Sequence, residues 1–360
     1  MNIAWSRFDP FRPRAPETDS MNVFVAALLL TGLGLICVYS FGPGEIGRQG
    51  VWAALGIAAC LAVSRLPLER IRRADAALLI FVGGMLLFAL LFAPLRHGTR
   101  RWLVVPSVGQ FQPSELAKIA VVVFLASRLA VKGALDRGVW RVAWPVGVVA
   151  MLVLLAPDFG TAVFVMAVSM ALLLVAGARV GRALAAAAVA LPVLLLVAAR
   201  YPYIQERLKF FQGRHSYHQV QALLALGSGG VFGNGIGAGR QKMSYLPEGH
   251  TDFVFSNVGE ELGFIGVACV GLLFALILIY GMRVALAAER RRDRFSFFLV
   301  CGATLLVVFQ AVVNIAVATA AAPTKGISLP FLSQGGSNLL VSFVAIGLIL
   351  NVGRSLEART

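Results

Sequence analysis

The chain has 360 residues, of which 59% are hydrophobic and 14% are charged, and its formal net charge is +15. Soluble domains average about 25% charged residues, so this composition excludes a soluble globular protein and predicts a multi-pass membrane protein. The positive charge does not indicate nucleic acid as a partner, because no basic stripe lies on a polar module. Basic residues in membrane loops beside anionic lipid headgroups account for it.

Apolar runs predict an all-α membrane protein with about ten transmembrane helices, since a helix needs about 20 apolar residues to cross a bilayer. Residues 1–21 precede them as a polar, Pro-rich and disordered cytoplasmic tail without the features of a cleaved signal peptide, and residues 353–360 follow as a second cytoplasmic tail. The transmembrane domain, residues 22–352, contains predicted helices at 22–41, 49–64, 74–95, 113–131, 143–156, 160–177, 182–200, 257–281, 295–321 and 334–352.

The distribution of Lys and Arg predicts the orientation of these helices. With the N-terminus inside the cell, the inner segments hold most of the 32 basic residues, as the positive-inside rule requires. Both termini are then cytoplasmic. One large extracytoplasmic loop, residues 201–256, lies between helices 7 and 8.

This large loop is too long and too varied in sequence for a plain linker. It contains a Gly-rich stretch, Gly227–Gly237, and a polar stretch, Tyr245–Phe253. Backbone N–H groups of a Gly-rich stretch can cradle phosphate, although the spacing is not that of a P-loop. A flexible hinge and a close-packed re-entrant turn are the alternatives. The histidines of the loop do not fit a closed zinc site.

Several ionisable residues fall near the predicted outer ends of the helices. Glu115 and Lys118 are three residues apart on one helical face, and Asp158 lies at the outer turn between two helices. Glu260 and Glu261 follow one to two turns into the next helix. Charges at membrane depth usually mark function, but a structural ion-pair cluster is an equal alternative to a polar cavity.

Asp252 is the strongest catalytic candidate. It lies where the polar loop meets a membrane helix, and partial burial there would adapt a carboxyl group for general-base chemistry. The alternative is an N-cap for the helix that follows, because Asp is a favoured capping residue.

Ordered motifs along the chain carry a resemblance to one family. They are Gln221–Gly230, Arg240–Lys242, Leu246–Phe253, Gly259–Gly263, Pro323–Gly326, Leu329–Phe331 and Gly335–Gly336. Together they resemble the SEDS family of membrane proteins, and the similarity extends from about Asn22 to Val352. The resemblance implies a ten-helix peptidoglycan glycosyltransferase, which polymerises lipid II outside the membrane by an inverting displacement.

Two short motifs resemble the division branch of this family more than its elongation branch. They are Pro323–Gly326, which reads Pro-Thr-Lys-Gly, and Arg240–Lys242. One position departs from the family pattern: Gln334 stands where an aromatic residue is usual. The two motifs imply action at the division septum of the bacterial cytoplasmic membrane, with the elongation paralogue as the alternative.

The resemblance also implies roles for individual residues. Asp252 matches the family's essential acid and would act as the base or position a cation. The predicted substrate-binding residues are Arg100, Arg101, Arg240, Lys242, Lys325 and Ser337, several of them as diphosphate partners. A divalent cation, Mg²⁺ or Mn²⁺, would share that role.

The expected partners are lipid II, a class B penicillin-binding protein transpeptidase and other division proteins. Two other functions stay open, a lipid II flippase and a scaffold for the transpeptidase. A flippase needs a polar path through the whole membrane, whereas the inner halves of the predicted helices look almost uncharged.

Overall fold

In the computed structural model, the chain is described at residues 15–94, 99–105, 109–136, 138–181, 185, 188, 216–239, 251–324 and 326–358. The described residues form eleven main helices and a two-stranded hairpin. The helices are α1 (Pro16–Phe41), α2 (Pro43–Val63), α3 (Leu68–Arg73), α4 (Asp75–Phe92), α5 (Pro113–Leu129), α6 (Trp140–Leu155), α7 (Phe159–Val175), α8 (Tyr217–Ser228), α9 (Val254–Arg290), α10 (Arg294–Ala318) and α11 (Gly336–Glu357).

The prediction of an all-α membrane protein is confirmed. Among the described residues, helices α1, α2, α4, α9, α10 and α11 contain stretches long and apolar enough to cross a membrane, and α6 and α7 are shorter apolar helices. The predicted span at 182–200 lies almost wholly outside the described residues, so the count of ten stays a prediction. The hairpin was not predicted: β1 (Leu103–Val105) pairs antiparallel with β2 (Gly109–Phe111) between α4 and α5.

Several predicted helix bounds differ from the structure. Helix α1 begins at Pro16, inside the predicted disordered tail 1–21, and α11 continues to Glu357, inside the predicted tail 353–360. Helix α9 has 37 residues and extends well past the predicted end at 281, because its last turns pack Val284, Ala285 and Ala288 into the core. The large loop contains a regular helix, α8. Ser216 begins α8 with a capping box, in which its side chain and that of Gln219 each accept a hydrogen bond from the other's backbone N–H.

The core forms where the longest helices meet. Helix α9 packs against α1 and α10, α11 packs against α2 and α1, and α5 packs against α4 and α10. Helices α10 and α11 are mostly buried, while α4 presents large apolar side chains such as Ile80, Phe81 and Phe92 outward. In a bilayer these outward faces contact lipid, so their exposure is expected.

One end of the bundle carries the polar contacts described below, and we call it the cleft end. It contains the N-termini of α2, α5, α7, α9 and α11. The connection from α10 to α11 also lies there and is non-helical yet deeply buried, with Leu329, Phe331 and Leu332 almost inaccessible. Such backbone is tolerated at membrane depth only when protein groups satisfy it, and side chains from α2 and α10 do so.

The opposite end of the bundle is not free of buried charge, contrary to the sequence prediction. Arg283 of α9 pairs with Asp19 of α1 at 3.0 Å, with both side chains largely buried. Arg128 of α5 lies 3.3 Å from Asp75 at the start of α4. The sequence analysis missed the first pair because Asp19 and Arg283 lie just outside the predicted helices 22–41 and 257–281.

Candidate functional site

An open cleft with a volume of about 540 Å³ lies at the cleft end. It is built by the end of α1, the start of α2, the hairpin, the chain before α9 and the start of α11. Its described lining residues are Phe41, Arg48, Gln49, Trp52, Trp102, Gly109, Gln110, Thr251, Gln334, Gly335 and Gly336. Two indoles, three amides and a guanidinium suit a polar ligand with flat apolar faces, such as a sugar carrying an anionic group.

The α2 part of this cleft was missed in the sequence. Arg48 and Trp52 are four residues apart and therefore share a helical face, and Gln49 lies beside them. Gln49 Nε2 donates to the Ser333 carbonyl at 3.2 Å, and its Oε1 accepts from the Gly335 N–H at 3.4 Å. The sequence signal that could have indicated these residues is the polar start of an otherwise apolar helix.

Trp52 explains the paired glycines at the start of α11. A Cβ added to Gly336 would lie 2.1 Å from the Trp52 ring, whereas one added to Gly335 would have no neighbour closer than 3.9 Å. The absence of a side chain at Gly336 thus allows the indole to lie flat against the helix N-terminus. The motif shapes one wall of the cleft.

Asp252 lies beside the cleft in a tightly held segment. Ser333 Oγ donates to the Thr251 carbonyl at 2.5 Å, and Asn314 Nδ2 donates to the Asp252 carbonyl at 2.9 Å. The carboxylate approaches Gly326, since a Cβ added there would be 3.6 Å from Asp252 Oδ2. The backbone on both sides of the acid is therefore fixed by side chains from other elements.

The N-cap alternative for Asp252 is not supported. Helix α9 begins after Phe253, which occupies the N-cap position, and no side chain makes a capping hydrogen bond there. Asp252, whose side chain is half-buried, is therefore not the N-cap residue of α9.

Two amides of α10 connect Asp252 to the rest of the cleft end. Asn314 Nδ2 donates to the Ile327 carbonyl at 2.8 Å as well as to Asp252. One turn away, Gln310 Nε2 donates to the Ser328 carbonyl and to Asn338 Oδ1, each at 2.8 Å. These hydrogen bonds satisfy backbone carbonyl groups in the buried connection before α11.

The predicted pair of Glu115 and Lys118 is present and joins the same network. Lys118 Nζ lies 2.7 Å from Glu115 Oε2, with both side chains buried, and donates to Gln310 Oε1 at 2.7 Å. The side-chain amide of Gln310 thus links the ammonium group of Lys118 to the carbonyl of Ser328. Neither residue of the pair lines the described cleft, and the pair reaches the cleft end through Gln310.

Asp158 lies apart from that pair. Its carboxylate accepts from Gln112 Nε2 at 2.7 Å, from Ser114 Oγ at 2.8 Å and from the Thr161 N–H at 3.3 Å. It is the N-cap of α7 and joins that helix to the start of α5. The prediction that it completes the Glu115–Lys118 cluster finds no support in these contacts.

Three predicted substrate-binding residues are described. Ser337 is buried, and its Oγ accepts from the Gln112 N–H at 2.9 Å, so it joins α11 to α5. Arg100 donates to the Leu91 carbonyl at 2.9 Å. Arg101 is half-buried with its guanidinium 5.9 Å from the ring of Trp102, which lines the cleft. Of the three, Arg101 has the position closest to that expected of a ligand contact.

The remaining predicted substrate-binding residues, Arg240, Lys242 and Lys325, lie outside the described residues. Glu260 and Glu261 are described and buried, and Ser40 Oγ of α1 donates to Glu261 Oε1 at 2.5 Å. Both acids belong to α9 and lie farther from the cleft than Asp252 does.

The Gly-rich stretch packs against α9 and does not form an open cradle. The N–H groups of Asn234 and Gly235 donate to the carbonyls of Glu260 and Glu261, each at 3.0 Å. A Cβ added to Gly233 would lie 2.1 Å from the Glu261 carbonyl oxygen. Of the three predicted alternatives, the close-packed re-entrant turn agrees with these contacts.

No group of three or more His, Cys, Asp or Glu that could hold a metal ion is found in the described part of the chain. The described cleft lining contains no acidic residue, and Asp252 adjoins it. Asp252 is therefore the described carboxylate that would hold a divalent cation beside this cleft, where the cation would supply charge stabilisation.

Comparison with known proteins decides the family. The sequence model of the FtsW, RodA and SpoVE family, described as "Cell cycle protein", matches residues 20–358. The chain belongs to this family. It is 36% identical to a Geobacter metallireducens protein named "Probable peptidoglycan glycosyltransferase FtsW", over 95% of this chain and 96% of that protein. It is 39% identical to the Halomonas elongata protein of the same name, over 85% and 80% respectively.

Solved structures share the fold of this chain. One, described as "Structural coordination of polymerization and crosslinking by a peptidoglycan synthase complex", matches with a TM-score of 0.77 and 28% identity, over 93% of this chain and 97% of the other. Thermus thermophilus RodA matches with a TM-score of 0.69 and 29% identity, over 92% and 96%. An Asp-to-Ala variant of that RodA matches equally well.

Proposed function

We propose that this chain is a peptidoglycan glycosyltransferase of the FtsW branch, which polymerises lipid II at the outer face of the bacterial cytoplasmic membrane. The observation that carries the proposal is the position of Asp252. Its backbone is held by Asn314 and Ser333, and the adjoining Thr251 lines a cleft of sugar-binding character. Family membership and relatives named peptidoglycan glycosyltransferase support the same reaction class.

The reaction is an inverting displacement at a sugar carbon. The 4-hydroxyl oxygen of one lipid II attacks the anomeric carbon of the growing chain, and the bond from that carbon to the lipid diphosphate breaks. Asp252 would accept the proton of the attacking hydroxyl group as general base. The diphosphate departs with the bonding electron pair, so its developing negative charge needs stabilisation.

The cleft offers positive potential for that leaving group. Arg48 lines it, and α11 directs its N-terminus into it at Gly335 and Gly336, where a helix dipole favours anions. Arg101 adjoins the wall through Trp102. We expect Arg240, Lys242 and Lys325 to contribute further positive charge. As the alternative to its role as base, Asp252 would hold a Mg²⁺ or Mn²⁺ ion, which would supply charge stabilisation for the diphosphate.

The wider assignment includes location and partners. Cytoplasmic termini follow from the distribution of Lys and Arg. A class B penicillin-binding protein and other division proteins are the proposed partners, and the structural match to a peptidoglycan synthase complex supports the first of them. The similarity to proteins named FtsW supports septal action.

The decisive experiment adds lipid II to the purified chain and reads glycan length on a gel. Asp252→Asn preserves side-chain shape and should abolish polymer while the protein still inserts and unfolds normally. Asp136→Asn, at an exposed position on the loop after α5, is the matched control and should polymerise normally. Normal polymer from Asp252→Asn would contradict the role assigned to this acid.

A further inference from the structure

Helix α8 and the Gly-rich segment after it, residues 229–239, form a re-entrant unit beside α9. Gln219 Nε2 near the start of α8 donates to the Ala322 carbonyl just past the end of α10. At the other end of α8, Gly229 lies against the Gly259 carbonyl of α9. Helix α8 thus runs from the cleft end toward the interior of the bundle, and the segment 229–239 turns back.

The turn of this unit is fixed to a kink in α9. Gly263 has φ 65° and ψ −161° inside α9, which interrupts its hydrogen-bond ladder. The N–H groups of Phe264 and Ile265 donate instead to the carbonyls of Gly230 and Val231, at 2.9 and 3.3 Å. The two irregular segments therefore satisfy each other's backbone, which is the condition for non-helical chain within a bilayer.

Polar contacts between α1 and α9 indicate the depth of the turn. The Ser40–Glu261 hydrogen bond and the Asp19–Arg283 ion pair are separated by 21 residues of α1 and 22 of α9. At about 1.5 Å per residue this is about 32 Å, close to the roughly 30 Å thickness of a hydrocarbon core. Phe264 and Ile265 lie three and four residues inside that boundary, about 5 Å deep.

The side chains at this level are apolar and point outward. In the turn, Val231, Phe232 and Ile236 are 57%, 81% and 56% exposed, and in α9 Phe264 is 68% exposed. The sequence from 229 to 239 contains no charged residue. The backbone bonds at the kink place the apolar tip beside the outward face of a membrane-spanning helix, so the two surfaces are continuous.

From this geometry we propose that the tip of the re-entrant unit is inserted in the outer leaflet, with Val231, Phe232 and Ile236 in contact with lipid acyl chains just below the headgroups. Shallow insertion of this kind lies within the 5–10 Å depth at which interfacial apolar side chains bind. The unit would then be a membrane anchor within the large loop.

The test measures the surroundings of residue 232 in the full chain, reconstituted in vesicles of phosphatidylcholine and phosphatidylglycerol at two to one. Phe232→Cys is made with Cys269→Ser, because Cys269 is the exposed cysteine of the chain while the other three are buried. An environment-sensitive fluorophore is attached to the new thiol. Quenching is then compared between brominated phosphatidylcholine in the bilayer and iodide in the water.

Two controls bracket the result. The wild-type chain labelled at Cys269 of α9 gives the lipid-facing reference, and Arg70→Cys, exposed on α3, in the Cys269→Ser background gives the aqueous reference. The proposal expects the label at 232 to resemble the Cys269 label, with strong quenching by bromolipid and weak quenching by iodide. Ile236→Cys should behave alike. If both positions resemble Arg70→Cys, the tip is in water and awaits a protein partner, and the proposal is overturned.

Discussion

Asn314 should be a positioning residue for Asp252, and the substitution Asn314→Asp tests this with almost no change of shape. The wild-type amide donates both of its hydrogens to carbonyl oxygens, of Asp252 at 2.9 Å and of Ile327 at 2.8 Å. A carboxylate would present oxygen to both carbonyls and could donate nothing when ionised. The segment containing the acid would then lose one of its two described restraints.

The expected magnitude follows from those two bonds. A buried polar group left without its partner costs about 1–3 kcal/mol, so two carbonyls imply about 2–6 kcal/mol of lost stability. Activity should fall further than stability alone explains, because a displacement of about 1 Å in a reacting group can cost about 100-fold in rate. We expect kcat to fall by about that factor, with KM changed far less.

The opposite end of the bundle provides a matched control. Asn351 of α11 is equally buried and also donates to two carbonyl oxygens, of Val63 at 2.7 Å and of Leu66 at 2.6 Å. Asn351→Asp should therefore lower the unfolding temperature as much as Asn314→Asp does, while polymerisation of lipid II at a permissive temperature stays near wild type. Equal losses of kcat in the two variants would refute the positioning role.

Three further outcomes are expected. Glu115→Ala and Lys118→Ala should each cost about 3–5 kcal/mol, and a double-mutant cycle on unfolding should show strong non-additivity, whereas additive losses would mean no contact. Gly336→Ala should displace Trp52 and abolish polymerisation, while Gly335→Ala, which meets only ordinary contacts, should not; equal activities would contradict that. Adding the cognate transpeptidase should increase polymer yield, and depletion in cells should give long, undivided cells; rounded cells would indicate the elongation branch.

Sequence reasoning worked where the physical cause was local. Apolar runs predicted the membrane helices, because bilayer thickness fixes their length. The three-residue spacing of Glu115 and Lys118 predicted their contact, because i and i+3 side chains are neighbours on a helix. The motif around Asp252 indicated the acid, and the structure adds how it is held.

Sequence reasoning failed where the cause was distant in the chain. Asn314 is one amide in an apolar helix, and its importance depends on two carbonyls that the fold brings to it. Arg48 and Trp52 became part of the cleft only because α11 packs on α2. Asp158 was assigned to the wrong neighbours, because its position at a helix start could not indicate that Gln112 and Ser114 would face it.

The buried ion pair of Asp19 and Arg283 bears on the choice between a lipid II flippase and a lipid II polymerase. Charge near both ends of α1 and α9 removes the simple asymmetry that spoke against a flippase. The stretch of α1 between the two charged levels is more informative for this choice. Between Met21 and Tyr39, the buried polar side chain of α1 is Thr31, whose hydroxyl donates to the carbonyl of Ala27 in its own helix at 2.8 Å. A headgroup moving along this interface would meet about 30 Å of apolar side chains, so the described contacts here favour polymerisation at the cleft end.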